Sequence, residues 1–500
     1  MKTAPSVRSN IIANFAGRAW AGIFSLAFVP LYIKLMGVEV YGLLGIFMSL
    51  SALLSLLDMG LSATLSRELS RLSAVENSEQ ESRNLVRTFE AVYWGIGILI
   101  GIAVVTLAPL ITKYWINSSS VSSETVEQAL IIMGFLIAFQ WPGAIYSGGL
   151  MGLQRQVVLN AIRSVTVTVQ HGGAVLVLLF ISPSIVAFFL WQAFVGLLAT
   201  IALALWLWKS LPRTGRQVRF DKALLVKNWR FASGMMGISL VTILLTQLDK
   251  IILSKMLTLE MFGYYMLAFN VANALNNLVT PIFSALFPKF TQLVASAEES
   301  NLITLYHKGC RLLSVLVLPA AITIAIFAKE ILDLWLDDPM AVQNAHQILT
   351  LLMIGTALNA VMTLPYALQL AHGWTRLAFY KNVIAVVLLI PLMVWMVQMY
   401  QGLGAAWVWI ILNLGYLIIE VPIMHRRLLK GEMGKWYGRD IILPIVIVTI
   451  IGLVGRVILP VDSSKLITLL GVLGIFALSF VASAWVAGYL NIKTLKLNRP

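Results

Sequence analysis

The feature that most constrains this chain is a succession of about 14 apolar stretches, each long enough to cross a bilayer. About 20 apolar residues in a helix span the ~30 Å hydrocarbon core, because each residue adds ~1.5 Å. Isolated strands cannot satisfy their backbone groups in lipid, so helices are expected. The sequence therefore predicts an all-α multi-pass membrane protein. The predicted spans are residues 11–34, 42–65, 89–112, 128–150, 157–181, 184–208, 231–255, 263–287, 312–334, 347–370, 377–399, 403–425, 440–460 and 466–489.

The composition excludes most soluble classes. Hydrophobic residues make up 59% of the chain and charged residues 12%, about half the ~25% that is usual in globular proteins. Cys310 is the sole cysteine, which excludes an internal disulfide and a multi-thiolate metal site. We expect no metal centre and no cofactor other than a coupling ion.

The net charge of +14 is interpreted as a topology signal. If the N-terminus is cytoplasmic, most of the 36 Lys and Arg residues fall in cytoplasmic segments, as the positive-inside rule requires. Both termini are therefore predicted to face the cytoplasm. Nucleic acid is not an expected partner, because the chain offers no basic, aromatic-bearing soluble domain.

An internal repeat divides the chain. In the segments Lys34–Gly42 and Lys255–Gly263, a lysine, a glutamate, an aromatic residue and a glycine recur at the same spacing, 221 residues apart. Each copy joins an odd predicted span to an even one on the non-cytoplasmic side. This agreement predicts a duplication, with two six-helix lobes related by a pseudo-two-fold axis along the membrane normal.

The predicted domains follow from this duplication and from the basic segment between the halves. They are an N-terminal lobe (1–208, spans 1–6), a cytoplasmic linker (209–230), a C-terminal lobe (231–425, spans 7–12), and spans 13 and 14 with a cytoplasmic tail (426–500).

Short motifs in both halves carry a family resemblance. They are Asn14…Arg18…Pro30, Gly37-x-x-x-Tyr41-Gly42, Asp58-x-Gly60 followed by Arg67-Glu68, Gln247-Leu-Asp249-Lys250-Ile-Ile-Leu, and Gly263-Tyr264-Tyr265. Together they resemble the O-antigen-flippase-like polysaccharide transporters of the multidrug, oligosaccharidyl-lipid and polysaccharide exporter superfamily. The resemblance covers most of residues 10–430. Thr258 stands where a glycine is common in that family.

The resemblance implies a V-shaped pair of helical lobes around a central cavity. It also implies a substrate, a polyprenyl-diphosphate-linked oligosaccharide repeat unit that moves from the cytoplasmic to the outer leaflet of a bacterial inner membrane. Lipopolysaccharide or other surface polysaccharide synthesis is the implied process, and polysaccharide polymerase machinery is an expected partner besides the bilayer.

Charged residues within the spans are the first site candidates, because a charge at the bilayer centre costs at least ~2.5–3.5 kcal/mol without a partner or a wet cavity. Arg18 and Asp58 lie at equal distances along the chain from the first outer turn near Val38, so they are predicted at similar depth. Two interpretations stay open. The pair either fixes helix packing, or Asp58 holds Arg18 in the cavity to receive a phosphate.

Further candidates lie in spans 5 and 7. Arg163 is a candidate for bidentate binding of a diphosphate, with snorkelling to the interface as the alternative. His171, two turns away, is either a hydrogen-bonded packing residue or a proton-coupling group. Lys250 is a candidate for a phosphate contact on the outer side. Asp249 is assigned a structural or coupling role. Because neighbouring residues of a helix point in different directions, Asp249 and Lys250 are not expected to pair strongly.

Asn270, Asn273 and Asn277 share one predicted face of span 8, with Asn276 at its edge. The three are candidates for contacts with sugar hydroxyls, although interhelical hydrogen bonds explain them equally well. Glu420 and Arg456 lie near span ends, where snorkelling or local pairing accounts for them.

Two other functions compete with the flippase. One is an ion-coupled multidrug exporter on the same scaffold. The other is a membrane glycan enzyme, for which the sequence shows no nucleophile constellation. A G-x-x-x-x-G-K-[ST] segment is also missing, so an intrinsic ATPase is not expected. The energy source then lies between an H⁺ or Na⁺ gradient, the membrane potential and downstream consumption of the product.

Overall fold

The computed structural model describes residues 7–58, 60–73, 75, 77–118, 120–226, 246–460 and 464–489. These residues are overwhelmingly helical, with no strand among them. Eleven helices in this part of the chain are long and apolar enough to cross a membrane. The prediction of an all-α multi-pass membrane fold is confirmed.

The chain divides into two compact units, Met1–Gly263 and Tyr264–Pro500. The predicted domain boundaries near residues 208, 230 and 425 stay predictions. The helices of the first unit are α1 (Val7–Ala27), α2 (Val29–Met36), α3 (Val38–Leu54), α4 (Leu61–Leu72), α5 (Glu79–Tyr114), α6 (Ser123–Gln140), α7 (Gly143–Gly152), α8 (Gln156–Phe180), α9 (Ile185–Ser210) and α10 (residues 246–256).

Helix α11 (Leu259–Asn273) crosses the boundary between the units. The second unit continues with α12 (Asn276–Ala295), α13 (Glu299–Ile326), α14 (Ala328–Trp335), α15 (Pro339–Val361), α16 (Thr363–Ala371), α17 (Thr375–Gly415), α18 (Val421–Leu428), α19 (Met433–Lys435), α20 (Leu443–Ile458) and α21 (Lys465–Val486). Two π-helical segments, Tyr416–Glu420 and Trp436–Ile442, interrupt this series.

Several predicted spans differ in detail from the helices observed, and the clearest differences are in the second, eleventh and twelfth. Predicted span 2 is broken, because α3 ends in a 3₁₀ turn (Ser55–Asp58) and Gly60 adopts a left-handed conformation (φ 70°) before α4. Predicted spans 11 and 12 form one helix, α17, with a kink at Gln401 (φ 52°) between them. Predicted span 7 is described from residue 246 onward, and its earlier part lies outside the described residues.

Several helices begin at side-chain caps that the sequence supplies. Ser122 accepts a hydrogen bond from the Thr125 amide at the start of α6. The Asp338 carboxylate accepts from two amides at the start of α15, where Pro339 occupies the first helical position. Such caps satisfy backbone donors that have no partner within the helix.

Small residues allow the closest helix contacts in the first unit. A Cβ on Gly148 of α7 would lie 2.5 Å from the carbonyl oxygen of Ser62 in α4. A Cβ on Gly152 would lie 2.4 Å from the carbonyl oxygen of Ser66. The two glycines stand four residues apart on one helix face, the spacing that brings helix backbones together in membranes.

The two copies of the predicted repeat contact each other reciprocally. A Cβ on Gly42 would lie 2.3 Å from the carbonyl oxygen of Leu259, and a Cβ on Gly263 would lie 2.4 Å from that of Val38. Positions 38 and 42 correspond to 259 and 263 in the repeat, so the contact is symmetric in sequence. This geometry supports the duplication and explains why both copies end in glycine.

The loop after α5 contacts both copies of the repeat. Glu39 accepts hydrogen bonds from the Ser118 hydroxyl (2.8 Å) and from the Ser120 amide and hydroxyl. The Asn117 carbonyl accepts from the Leu259 amide at 2.7 Å, and its side chain donates to the Lys255 carbonyl at 3.2 Å.

The departure at Thr258 also has a local explanation. Gly37 needs its glycine because it adopts a φ of 85° before α3. At the equivalent position, the Thr258 hydroxyl accepts a hydrogen bond from the Met261 amide at 3.3 Å, immediately before α11. A capping threonine therefore replaces a turn glycine in the second copy.

We expect Gly42→Ala and Gly263→Ala to lower the free energy of unfolding by roughly 1–3 kcal/mol each, because the added methyl must displace a backbone carbonyl. Thermal unfolding of the purified protein in detergent measures the change. The matched control is Gly95→Ala, where an added Cβ has no neighbour within 4 Å. It should be neutral or stabilising by up to ~1 kcal/mol. Equal behaviour of all three variants would contradict the packing argument.

Candidate functional site

The predicted partners Arg18 and Asp58 are only partly described. Arg18 lies in α1, and its side chain lies outside the described residues. Asp58 accepts hydrogen bonds from the Ser62 hydroxyl (2.9 Å) and from the Tyr93 hydroxyl. The carboxylate is thus held between the turn before α4 and the neighbouring helix α5. Its pairing with Arg18 and the phosphate role of Arg18 stay predictions.

A second carboxylate in the first unit, Glu90, was not among the predicted candidates. It accepts hydrogen bonds from the Tyr146 hydroxyl (2.6 Å), the Trp208 indole (3.2 Å) and the Arg87 guanidinium (2.9 Å). The Tyr146 hydroxyl accepts in turn from the Trp94 indole at 3.0 Å. This network joins α5, α7 and α9. Glu90 was missed in the sequence for two reasons. Glu90 lies at the start of a predicted span, where a charge can reach the interface, and its donors Tyr146 and Trp208 come from other predicted spans.

The two candidates of α8 have different surroundings. Arg163 is exposed, and its binding of a diphosphate stays a prediction. His171 is half-buried. Its Nδ1 lies 2.9 Å from the Tyr32 hydroxyl, and its ring stacks on Phe28 with centroids 5.9 Å apart. These contacts fit the packing interpretation of His171, while the coupling interpretation stays a prediction.

The adjacent residues Asp249 and Lys250 do pair, contrary to the expectation from helix geometry. The buried Lys250 ammonium lies 3.0 and 3.1 Å from the two Asp249 carboxylate oxygens and donates to the Thr246 carbonyl at 2.9 Å. The expectation was wrong because the long, flexible lysine side chain bends back along its own helix. The role of Lys250 toward a phosphate stays a prediction.

The predicted asparagine face of span 8 is interrupted by a short turn between two helices. Helix α11 ends at Asn273 and α12 begins at Asn276, whose side chain donates to Asn273 at 2.9 Å. Asn273 and Asn277 are exposed, and Asn270 is half-buried. Their contact with sugar stays a prediction.

A buried ion pair in the second unit joins Lys381 of α17 to Glu420, which is 2% exposed. The Gln369 amide donates to the same carboxylate at 2.8 Å. The Lys381 ammonium also lies over the rings of Tyr416 (4.3 Å to the centroid) and Tyr366 (5.5 Å). Aromatic faces stabilise a desolvated cation, so this cluster satisfies both charges.

A π-helical segment, Tyr416–Glu420, precedes α18 and contributes both Tyr416 and Glu420 to this cluster. Such segments often occur at functional sites. Snorkelling or local pairing was expected for Glu420, but the structure pairs it with Lys381 of the preceding predicted span, 39 residues away. Lys381 was not among the predicted candidates, because spacing along the chain does not link the two residues.

A third polar cluster, in the second unit, forms around His307 of α13. The two ring nitrogens of His307 contact the carboxylates of Glu432 (3.1 Å) and Asp440. The hydrogen bond from Lys435 (2.9 Å) lowers the pKa of Glu432 from its ordinary value, against the burial that raises it. Across the described residues, no group of three or more His, Cys, Asp or Glu is arranged to hold a metal ion.

Comparison with known sequences finds relatives among proteins of polysaccharide biosynthesis. The family described as "polysaccharide biosynthesis protein" matches residues 7–294. The chain is 20% identical over 404 residues to a putative O-antigen transporter of Shigella flexneri, a match that covers 81% of this chain and 94% of the relative. It is 23% identical over 370 residues to the lipopolysaccharide biosynthesis protein WzxC of Escherichia coli K12, covering 70% and 68%.

Solved structures share the fold. The lipid II flippase MurJ, in an inward closed conformation, aligns with a TM-score of 0.71 at 14% identity and covers 98% of this chain and 99% of its own. An inward-facing multidrug transporter of the MATE family aligns with a TM-score of 0.58 at 15% identity, covering 88% and 98%.

We expect Glu420→Ala to lower the free energy of unfolding by about 3–5 kcal/mol, because it leaves the Lys381 ammonium buried without its carboxylate. A Lys381→Met/Glu420→Leu double variant should recover most of the loss, since it removes both charges. Thermal unfolding in detergent measures both changes.

Lys435→Ala is the control for this pair. Its side chain is 66% exposed, so breaking its bond to Glu432 should cost less than ~1 kcal/mol. A Glu420→Ala protein as stable as Lys435→Ala would refute the buried ion pair.

Proposed function

Since the chain belongs to the polysaccharide biosynthesis protein family, we propose that it is a flippase for a polyprenyl-diphosphate-linked oligosaccharide repeat unit. The family membership confirms the resemblance in the motifs, and the relatives identify a multi-pass membrane transporter rather than an enzyme. The observation that carries the proposal is the O-antigen transporter match over 81% of the chain, together with the family match.

The proposed direction is from the cytoplasmic to the periplasmic leaflet of the inner membrane, with both termini in the cytoplasm. Alternating access would expose the substrate site to each side in turn, which suits a chain built from two duplicated halves. Arg18, Arg163 and Lys250 are proposed to bind the diphosphate, and the asparagines of α11 and α12 the sugar hydroxyls. Guanidinium groups suit the first task because they bind phosphate oxygens in a bidentate fork.

We further propose that an H⁺ or Na⁺ gradient supplies the energy. Asp58, His171 and Asp249 are the proposed coupling residues, because carboxylates and histidines within membrane spans commonly form ion and proton pathways. Polysaccharide polymerase machinery is the proposed recipient of the translocated unit.

The decisive experiment is a clean deletion in the source bacterium, followed by mass analysis of polyprenyl-linked glycans. We expect completed repeat units to accumulate and to react with a membrane-impermeant sugar reagent only after permeabilisation. A plasmid copy of the wild-type gene should reverse both effects. Unchanged glycan lipids combined with altered toxin sensitivity would instead identify a multidrug exporter.

We expect Arg163→Glu and Arg18→Glu each to reduce complementation of the deletion strain by about 10- to 100-fold. The reason is that a charge-assisted hydrogen bond worth ~1.5–3 kcal/mol would be replaced by repulsion. Transport is measured as the amount of surface polysaccharide at matched protein levels.

Arg216→Glu makes the same charge change in the exposed linker and should complement fully. Full transport by a well-expressed Arg163→Glu or Arg18→Glu protein would remove that arginine from the substrate path.

A further inference from the structure

An open apolar groove runs between α8 and α9 of the first unit. Its volume is 580 Å³, and it is lined mainly by aliphatic side chains, among them Val158, Ile162 and Val165 of α8 and Leu198 and Trp206 of α9. The groove follows α8 from residue 157 to residue 169, a length of about 18 Å at ~1.5 Å per residue. Its volume lies within the ~300–1,000 Å³ typical of ligand sites.

A tight contact closes the outer end of the groove. A Cβ on Gly173 would lie 2.2 Å from the Trp191 ring, and the Trp191 indole donates to the Val169 carbonyl at 3.0 Å. Below this contact, Ala161, Ala199 and Ala202 line the groove where larger side chains would fill it. The Gly173–Trp191 contact therefore closes one end of the groove, and the three alanines leave its length open.

The walls of the groove are exposed apolar surface. Val165 is 63% exposed, Leu198 is 48% exposed and Trp206 is 42% exposed. In a bilayer such side chains face hydrocarbon, and their concave arrangement forms a channel in which a single apolar chain packs against two helices.

The other end of the groove carries positive charge. Lys209 holds its ammonium 5.0 Å from the centroid of the Trp206 ring, and Arg155 immediately precedes α8. Tryptophans of this kind mark the level of lipid headgroups. By the predicted topology this mouth lies at the cytoplasmic leaflet, where the proposed substrate enters.

We propose that this groove holds the first isoprenoid units of the substrate's polyprenyl chain on entry, with the diphosphate at the mouth beside Arg155 and Lys209 before it reaches Arg18, Arg163 and Lys250. The occupant needs one apolar tail on an anionic head. A polyprenyl diphosphate carries a single chain per headgroup, as a slot between two helices requires, whereas bilayer phospholipids carry two. This inference rests on the proposed function and adds a tail site to it.

The test is photolabelling of the full-length protein in phosphatidylcholine nanodiscs. The probe is a polyprenyl diphosphate with a diazirine on an isoprenoid unit close to the diphosphate. We expect labelled peptides from residues 157–169 and 195–206. An excess of phosphatidylglycerol should leave this labelling in place, and its loss to phosphatidylglycerol would overturn the proposal in favour of a general lipid site.

Two variants fill the groove, Ala161→Trp and Ala202→Trp. Each should reduce labelling at least about tenfold, because the added indole fills the space that the chain would occupy and overpacking costs ~1–3 kcal/mol. Ala103→Trp, on an exposed position of α5, is the matched control and should label like the wild type. Melting temperatures verify that each variant is folded. If a variant does not fold, the position of the labelled peptides in the wild-type protein tests the tail site by itself.

The outcomes separate this inference from the proposed function. Labelling away from the groove, in a protein whose deletion strain accumulates glycan lipids, overturns the tail site alone. Normal glycan lipids in the deletion strain would overturn the proposed function, and with it the tail site.

Discussion

The close approach of backbones at glycine is the constraint on which the first unit depends. Within a bilayer, lipid tails are as apolar as the side chains, so helices associate through close packing and hydrogen bonds rather than through exclusion of water. The reciprocal contacts of Gly42 and Gly263 with backbone carbonyls, and those of Gly148 and Gly152, leave no space for a side chain. These contacts fix where the helices cross, and the polar networks form around them.

Buried carboxylates are held in two ways in this protein. In the first, Asp58 and Glu90 are held largely by tyrosine, serine and tryptophan donors. In the second, Glu420 is paired with a lysine that sits over aromatic rings. Carboxylates in both units are therefore held by partners from other helices.

Sequence alone predicted the membrane fold, most of its spans and the repeat, because span length and apolar content are local properties. It did not predict the kink at Gln401 or the π-helical segment at Tyr416–Glu420, since neither has a local signature. The Lys381–Glu420 pair depends on how two distant spans pack. The contact between Asp249 and Lys250 depends on a side-chain conformation that helical spacing does not specify. The sequence therefore indicates which residue types form a site, whereas the contacts between them are set by helix packing and side-chain conformation.

The loop that follows α5 constrains the sequences of the two repeat copies unequally. Asn117 binds the second copy of the repeat through both its carbonyl and its amide, while Ser118 and Ser120 bind Glu39 of the first. The contacts with the second copy use backbone groups of Lys255 and Leu259, so substitutions at those two positions leave the contacts in place. The contacts with the first copy need the Glu39 carboxylate, so the first turn depends on side-chain identity and the second on backbone geometry.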